Sequence, residues 1–158
     1  MRALLLLLTL AIAACSPAGA ALPADAAILP GSMARSLLGQ CSRATPPLGE
    51  STWQPGEADI LALEAALPAA LRAQPPRSGA SDLARAPQGW RRQYVGIVRG
   101  GRRFVYGSFF PADSARHGAP DQWRRETLIV CDGGPAFFGV EYDVEGRRVT
   151  HLAYNGMA

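Results

Sequence analysis

A reaction in this chain would be built around His151, because imidazole alone among side chains both takes and gives a proton near neutral pH. A nucleophilic site also needs a serine or cysteine beside the base and an acid behind it. Ser108, Cys131 and Glu141 supply those types in the same half of the chain. No GxSxG, HExxH, P-loop or GxGxxG spacing ties them together. His151 is therefore expected to be a strand histidine with an ordinary hydrogen bond, and no catalytic residue and no cofactor is assigned. Glu141, Asp143 and Glu145 alternate with apolar residues, so in a strand the first two share a face. A calcium site or a carboxylate pair would use that pattern, as would acids simply facing water, and the calcium-loop spacing is absent. With no CxxC and only His117 and His151 as histidines, no metal site is expected.

Charge is uneven along the chain. Residues 85–125 hold nine arginines against Asp113 and Asp121, a balance of +7, whereas residues 126–158 hold five acids against Arg147 and Arg148, a balance of −3. Arg99, Arg102 and Arg103 crowd around Gly100-Gly101, with Arg91 and Arg92 nearby. Such a basic tip suits an acidic protein partner or anionic headgroups, and equally a solvated surface in a chain whose basic residues are all arginine. The formal net charge of +3 does not call for nucleic acid, and none is expected as a partner.

The length of 158 residues suits a single domain, and 48% hydrophobic with 18% charged residues excludes both a disordered tail and an integral membrane protein. Met1-Arg2 is followed by an uncharged apolar run over residues 3–14. About a dozen residues at roughly 1.5 Å each fall short of a hydrocarbon core of about 30 Å, so the run reads as a secretory signal. It ends Ile12-Ala13-Ala14-Cys15, which resembles the lipobox of bacterial lipoproteins. The resemblance implies cleavage before Cys15, a diacylglycerol thioether on its sulfur and an acylated amine. Ordinary cleavage after Ala18-Gly19-Ala20 is the alternative and would discard Cys15. Ser16 in place of an aspartate points to the outer rather than the inner membrane within that family. The expected product is a periplasm-facing envelope protein held to the membrane through an N-terminal lipid.

Once Cys15 is assigned to lipid, Cys41 and Cys131 remain as a possible pair in an oxidising compartment. Two unrelated cysteines, one in the core and one free, are the alternative.

These residues must be positioned by the rest of the chain. Residues 1–14 are expected as the signal peptide, 15–40 as lipid anchor and flexible tether with a helical turn around 33–38 that Gly39 ends, and 41–158 as one domain. Pro55 is placed for a helix start, with Glu57 and Asp59 in the first turn. Ile60, Leu63, Leu67 and Leu71 make one apolar stripe, and Pro68 is expected to kink or end the helix near Leu67, with a short continuation to Arg72 possible. Eleven of the twelve aromatic residues lie at or beyond Trp90. Segments 94–99 and 102–110 read as a hairpin across Gly100-Gly101, pairing Ile97 with Phe104 and Val95 with Tyr106. Strands are also expected at 127–132, 136–143 and 148–154. The fold class is therefore α+β, one main helix on an antiparallel sheet of about five strands. In element order it resembles cystatin-like and other small helix-on-sheet folds, which host many functions.

The aromatic pairs Phe109-Phe110 and Phe137-Phe138 place a ring on each sheet face, either filling the core or lining a pocket. The stretch from Cys131-Asp132-Gly133-Gly134 to Asn155-Gly156 resembles small proteobacterial lipoproteins that bring no activity with them. The sequence thus points to a noncatalytic binding domain for an envelope or secreted protein, with Arg99, Arg102 and Arg103 as its contact surface. A small-ligand carrier or enzyme using an aromatic pocket near His151 and Glu141 is the alternative.

Overall fold

The computed structural model describes residues 21–75, 83–114 and 121–157. The lipobox and Cys15 lie outside them. The centre of the fold is the expected hairpin, β3 (Trp90–Arg99) and β4 (Arg102–Pro111), with Ile97 opposite Phe104 and Val95 opposite Tyr106. Gly100 and Gly101 turn the chain with φ of +58° and +70°, the two left-handed positions that a tight hairpin requires. β5 (Phe138–Asp143) pairs antiparallel with β4, and β6 (Arg148–Tyr154) pairs antiparallel with β5, with a bulge where Glu141 gives way to Tyr142.

Two short strands complete the sheet, both on the free edge of β3. β1 (Ala26–Ile28) lies parallel to residues 92–94, and β2 (Ser51–Trp53) lies antiparallel to residues 96–98. β1 corrects the reading of 15–40 as tether, because the chain enters the fold well before Gln40. Three residues with two alanines carry no strand signal of their own; β3's backbone supplies the hydrogen bonds that make them a strand. The class is α+β as expected, with a mixed, mostly antiparallel sheet.

The expected strand at 127–132 does not form. The side-chain amide of Gln93, wholly buried in β3, donates to the Trp123 carbonyl and to the Glu126 carbonyl at 2.6 Å, and accepts from the Leu128 N–H at 2.9 Å. These backbone groups are satisfied by a side chain and need no strand partner. The segment lies irregularly across the sheet, where Gln40 reaches the Leu128 carbonyl at 3.3 Å.

Helix α1 (Ala34–Leu38) ends at Gly39, and α2 runs unbroken from Glu57 to Arg72. The Asp59 carboxylate accepts the Gly56 N–H at 2.9 Å and caps α2's first turn. Pro68 does not end α2 at Leu67; the helix continues to Arg72, the continuation that the sequence left open. The helix buries Ile60, Leu63 and Leu67 completely, at roughly 2 kcal/mol each, which offsets the one hydrogen bond that proline deletes.

Both sheet faces are covered. Under α2 lie Trp90, Tyr94, Phe109, Phe138 and Val140, with Phe109 and Phe138 stacked at 4.7 Å between centroids. On the opposite face α1 covers Val95, Ile97, Phe104 and Tyr106. Of the aromatic pairs, Phe109 and Phe138 fill the core under α2, while Phe110 packs with Ala27 and Trp123 in a third cluster that Phe137 adjoins. Gly107 sits under the rings of Tyr94 and Phe109, and an added Cβ would meet Tyr94 at 2.7 Å.

Candidate functional site

The arginine tip and the acidic strand, separate features in the sequence, are one feature in the fold. β4 runs between β3 and β5, and its pairings of Phe104 with Asp143 and Tyr106 with Glu141 bring the acids beside the hairpin tip. Arg99 crosses the Phe104 ring, its guanidinium carbon 4.3 Å from the centroid, and grips Glu141 with two bonds of 2.8 and 2.9 Å. Thr150 donates to the same carboxylate at 2.8 Å. Arg102 pairs with Asp143, whose other oxygen accepts the Gly146 N–H at 2.9 Å. Arg103 meets Glu145 at 2.8 Å and lies over the Trp53 ring. The Glu50 carboxylate accepts the N–H groups of both turn glycines, at 3.1 and 2.9 Å.

Each tip arginine thus has its own carboxylate, and arginines and acids together form one ion-paired ladder. Glu141 and Asp143 are almost fully buried, so their oxygens are committed to arginine rather than open to a cation. Among the described residues, no group of three or more His, Cys, Asp or Glu side chains is placed to hold a metal ion. Backbone N–H groups of the turn, Gly101 foremost, hold the Glu50 carboxyl below its ordinary pKa; the Arg103 side-chain hydrogen bond does the same for Glu145.

The groups that could have formed a nucleophilic site are spent elsewhere. Cys131 is bridged to Cys41, with their Cα atoms 5.0 Å apart. His151 faces Glu141 across the ladder, yet its Nε2 lies 3.0 Å from the Ala44 carbonyl while Glu141 faces Arg99. Ser108 accepts from Arg43 at 2.8 Å.

Arg43 escaped the sequence reading. It is 8% exposed and donates to Tyr106 Oη at 3.3 Å, Asn155 Oδ1 at 2.7 Å and Ser108 Oγ. Gly139 makes this socket, since a Cβ there would lie 2.3 Å from Tyr106 Oη and 2.9 Å from Arg43 Nε. Burial raises the Tyr106 pKa against the opposing effect of Arg43, so the phenol keeps its proton. Asn155 also donates to the carbonyls of Val130 and Asp132, at 2.7 and 2.8 Å, and Gly156 N–H donates to the Ser42 carbonyl at 3.1 Å. The disulfide, the arginine socket and the C-terminal segment are therefore one knot.

A second charged cluster ties α2 to the sheet. Glu64 accepts from Arg92 Nε at 2.7 Å, Arg92 Nη2 at 3.1 Å and Tyr94 Oη at 2.8 Å. Burial disfavours the Arg92 charge, but the Glu64 hydrogen bonds and charge outweigh it and raise its pKa; burial, with Glu64 adding, pushes the Tyr94 pKa far up.

A cleft of about 480 Å³ opens at the other end of the hairpin, among Leu83, Arg85, Gln88, Trp90, Pro111 and Asp113. His151 and Glu141 do not line it. Its wall is fixed by a 2.7 Å bond from Trp90 Nε1 to the Ala136 carbonyl. Among the described residues no helix is long and apolar enough to cross a membrane. No protein-family model, no curated protein and no solved structure matches the chain.

Proposed function

We propose that this protein is a lipid-anchored envelope lipoprotein whose folded domain is a noncatalytic binding module for a protein partner. The observation carrying the reading is where the reactive groups are spent: Cys131 in a disulfide, Ser108 on Arg43, Glu141 on Arg99 and His151 on a backbone carbonyl. Cys131 thus has no free thiol, and no serine–histidine–acid chain of hydrogen bonds links Ser108, His151 and Glu141. The disulfide supports an oxidising compartment, and the Ile12-Ala13-Ala14-Cys15 run supports lipidation at Cys15 on the face of the membrane where such bonds persist.

Two measurements test this reading. Cys15→Ser should abolish incorporation of labelled palmitate and leave an uncut precursor; normal labelling refutes the anchor. Crosslinking in the native envelope should capture one abundant protein partner, and capture of none refutes the binding module. The cleft at Trp90 favours a second reading, a small-ligand carrier, because its volume falls within the range of ligand sites, about 300–1,000 Å³. Saturation of that cleft by a small molecule, with no protein captured, would put the second reading first.

A further inference from the structure

The sheet treats its two edges differently. The outer side of β3 is covered along its length by β1 and β2, and β1's outer side is closed in turn by Arg124, which donates to the carbonyls of Ala24 and Ala26. β6 is the other edge and, among the described residues, pairs only with β5. Half of its backbone groups face β5, and the alternate ones face outward. The bond from Asn155 N–H to the Phe137 carbonyl sets the phase, directing Ala153 and His151 into the ladder and Leu152 outward. Among the described residues no loop or side chain bonds the backbone of 148–153 from outside.

Charge singles out the same edge. The tip arginines are neutralised by Glu141, Asp143 and Glu145, and Glu50 is held by the turn amides. Arg147 and Arg148, where the chain turns into β6, are exposed and have no carboxylate within ion-pair distance among the described residues. Arg147 is held at φ +50°, on the turn that leads into this edge strand.

We infer that the outer edge of β6 takes an extended segment of another protein as an added antiparallel strand, with carboxylates on that segment meeting Arg147 and Arg148. This rests on the binding-module reading and names its surface. Main-chain bonds of such an added strand give affinity, and the flanking charges give selectivity. The bulge and Arg148 are the devices that keep an open edge from pairing indiscriminately. A second copy of this chain brings no carboxylate to these arginines: pairing β6 with itself antiparallel sets Arg148 near Tyr154 and Asn155, and pairing it parallel sets arginine beside arginine.

The test uses the full chain, isotope-labelled, titrated with a blocked peptide of alternating glutamate and valine. The Leu152 amide should shift, and its hydrogen exchange should slow about tenfold at saturation. An Arg147→Glu/Arg148→Glu variant, with the rest of its spectrum unchanged, should bind about tenfold more weakly, and a lysine–valine peptide should not bind. Absence of binding at about 1 mM peptide, or binding that leaves Leu152 unchanged, overturns the inference. So does Leu152 protection that rises with protein concentration in the absence of peptide, which would make the edge a contact between copies. Envelope crosslinking with the same variant separates the two levels. A partner captured equally by wild type and variant overturns the edge while leaving the binding module standing; no partner from either overturns the module itself.

Discussion

Replacing Glu64 tests whether the buried charges hold α2 to the sheet. The carboxylate takes three donors, Arg92 Nε, Arg92 Nη2 and Tyr94 Oη, and Arg92 is only 5% exposed. Glu64→Leu leaves that guanidinium with one remaining acceptor, the Trp90 carbonyl at 2.9 Å, in a place water scarcely reaches. Stranding one member of a buried pair costs about 3–5 kcal/mol. With a urea slope of about 1.5 kcal/mol per molar, the midpoint should fall by about 2–3 M. Removing both charges is different, because the desolvation penalty disappears with them. Glu64→Leu/Arg92→Leu should therefore be more stable than Glu64→Leu alone, by about 2 kcal/mol, the remaining loss including about 1–3 kcal/mol for the Tyr94 hydroxyl left without an acceptor. Adding Tyr94→Phe should recover part of that last component. The assay is equilibrium urea unfolding with the disulfide intact, followed by tryptophan fluorescence. A cost below about 1 kcal/mol for Glu64→Leu, or a double variant as unstable as the sum of its singles, refutes the reasoning.

Three further outcomes follow from the geometry. Arg43→Lys should cost about 2–4 kcal/mol in the same assay, because one ammonium cannot span Tyr106, Ser108 and Asn155, and undiminished stability would refute the socket. Glu50 and Glu145 have folded pKa values below the ordinary 4.5, so their contribution is full above that value and is lost as pH falls through the folded pKa. Acid unfolding of Glu50→Gln/Glu145→Gln should therefore be less steep than wild type, and an identical acid limb counts against the turn-capping role. Cys41 and Cys131 should resist alkylation in the urea-unfolded, unreduced protein and react after reduction; deleting the bridge, which spans 90 residues, should cost about 4–5 kcal/mol by chain entropy.

What the sequence revealed of the fold tracks how local the cause was. The β3–β4 hairpin was legible because strand formers flank two glycines and the turn needs a positive φ at both. β1 was not legible: Ala26-Ala27-Ile28 in an Ala- and Pro-rich stretch becomes a strand only because β3 offers a partner. Residues 127–130 misled in the opposite sense, being apolar and β-branched like a strand, while the deciding agent was Gln93, more than thirty residues earlier in the chain. Pro68 left the end of α2 open between Leu67 and Arg72, because helix propensity is local and the burial of Ile60, Leu63 and Leu67 against the sheet is not.

The error at 127–132 also hid the chemistry of the tip. A strand inserted there, between β4 and β5 in chain order, would stand between the arginine hairpin and the acidic strand, leaving two charged surfaces apart. With that segment folded away by Gln93, β5 lies directly against β4, and the pairing of Tyr106 with Glu141 brings the acid within reach of Arg99 across the Phe104 ring. Register alone turns a cationic patch and an anionic stripe into three internal ion pairs. Fields from paired charges fall off faster than fields from single ones, so what a partner meets at this end is set by the cations left over. Those are Arg147 and Arg148, which sequence reasoning passed over because they stand among acids in the chain, although in space those acids belong to other arginines.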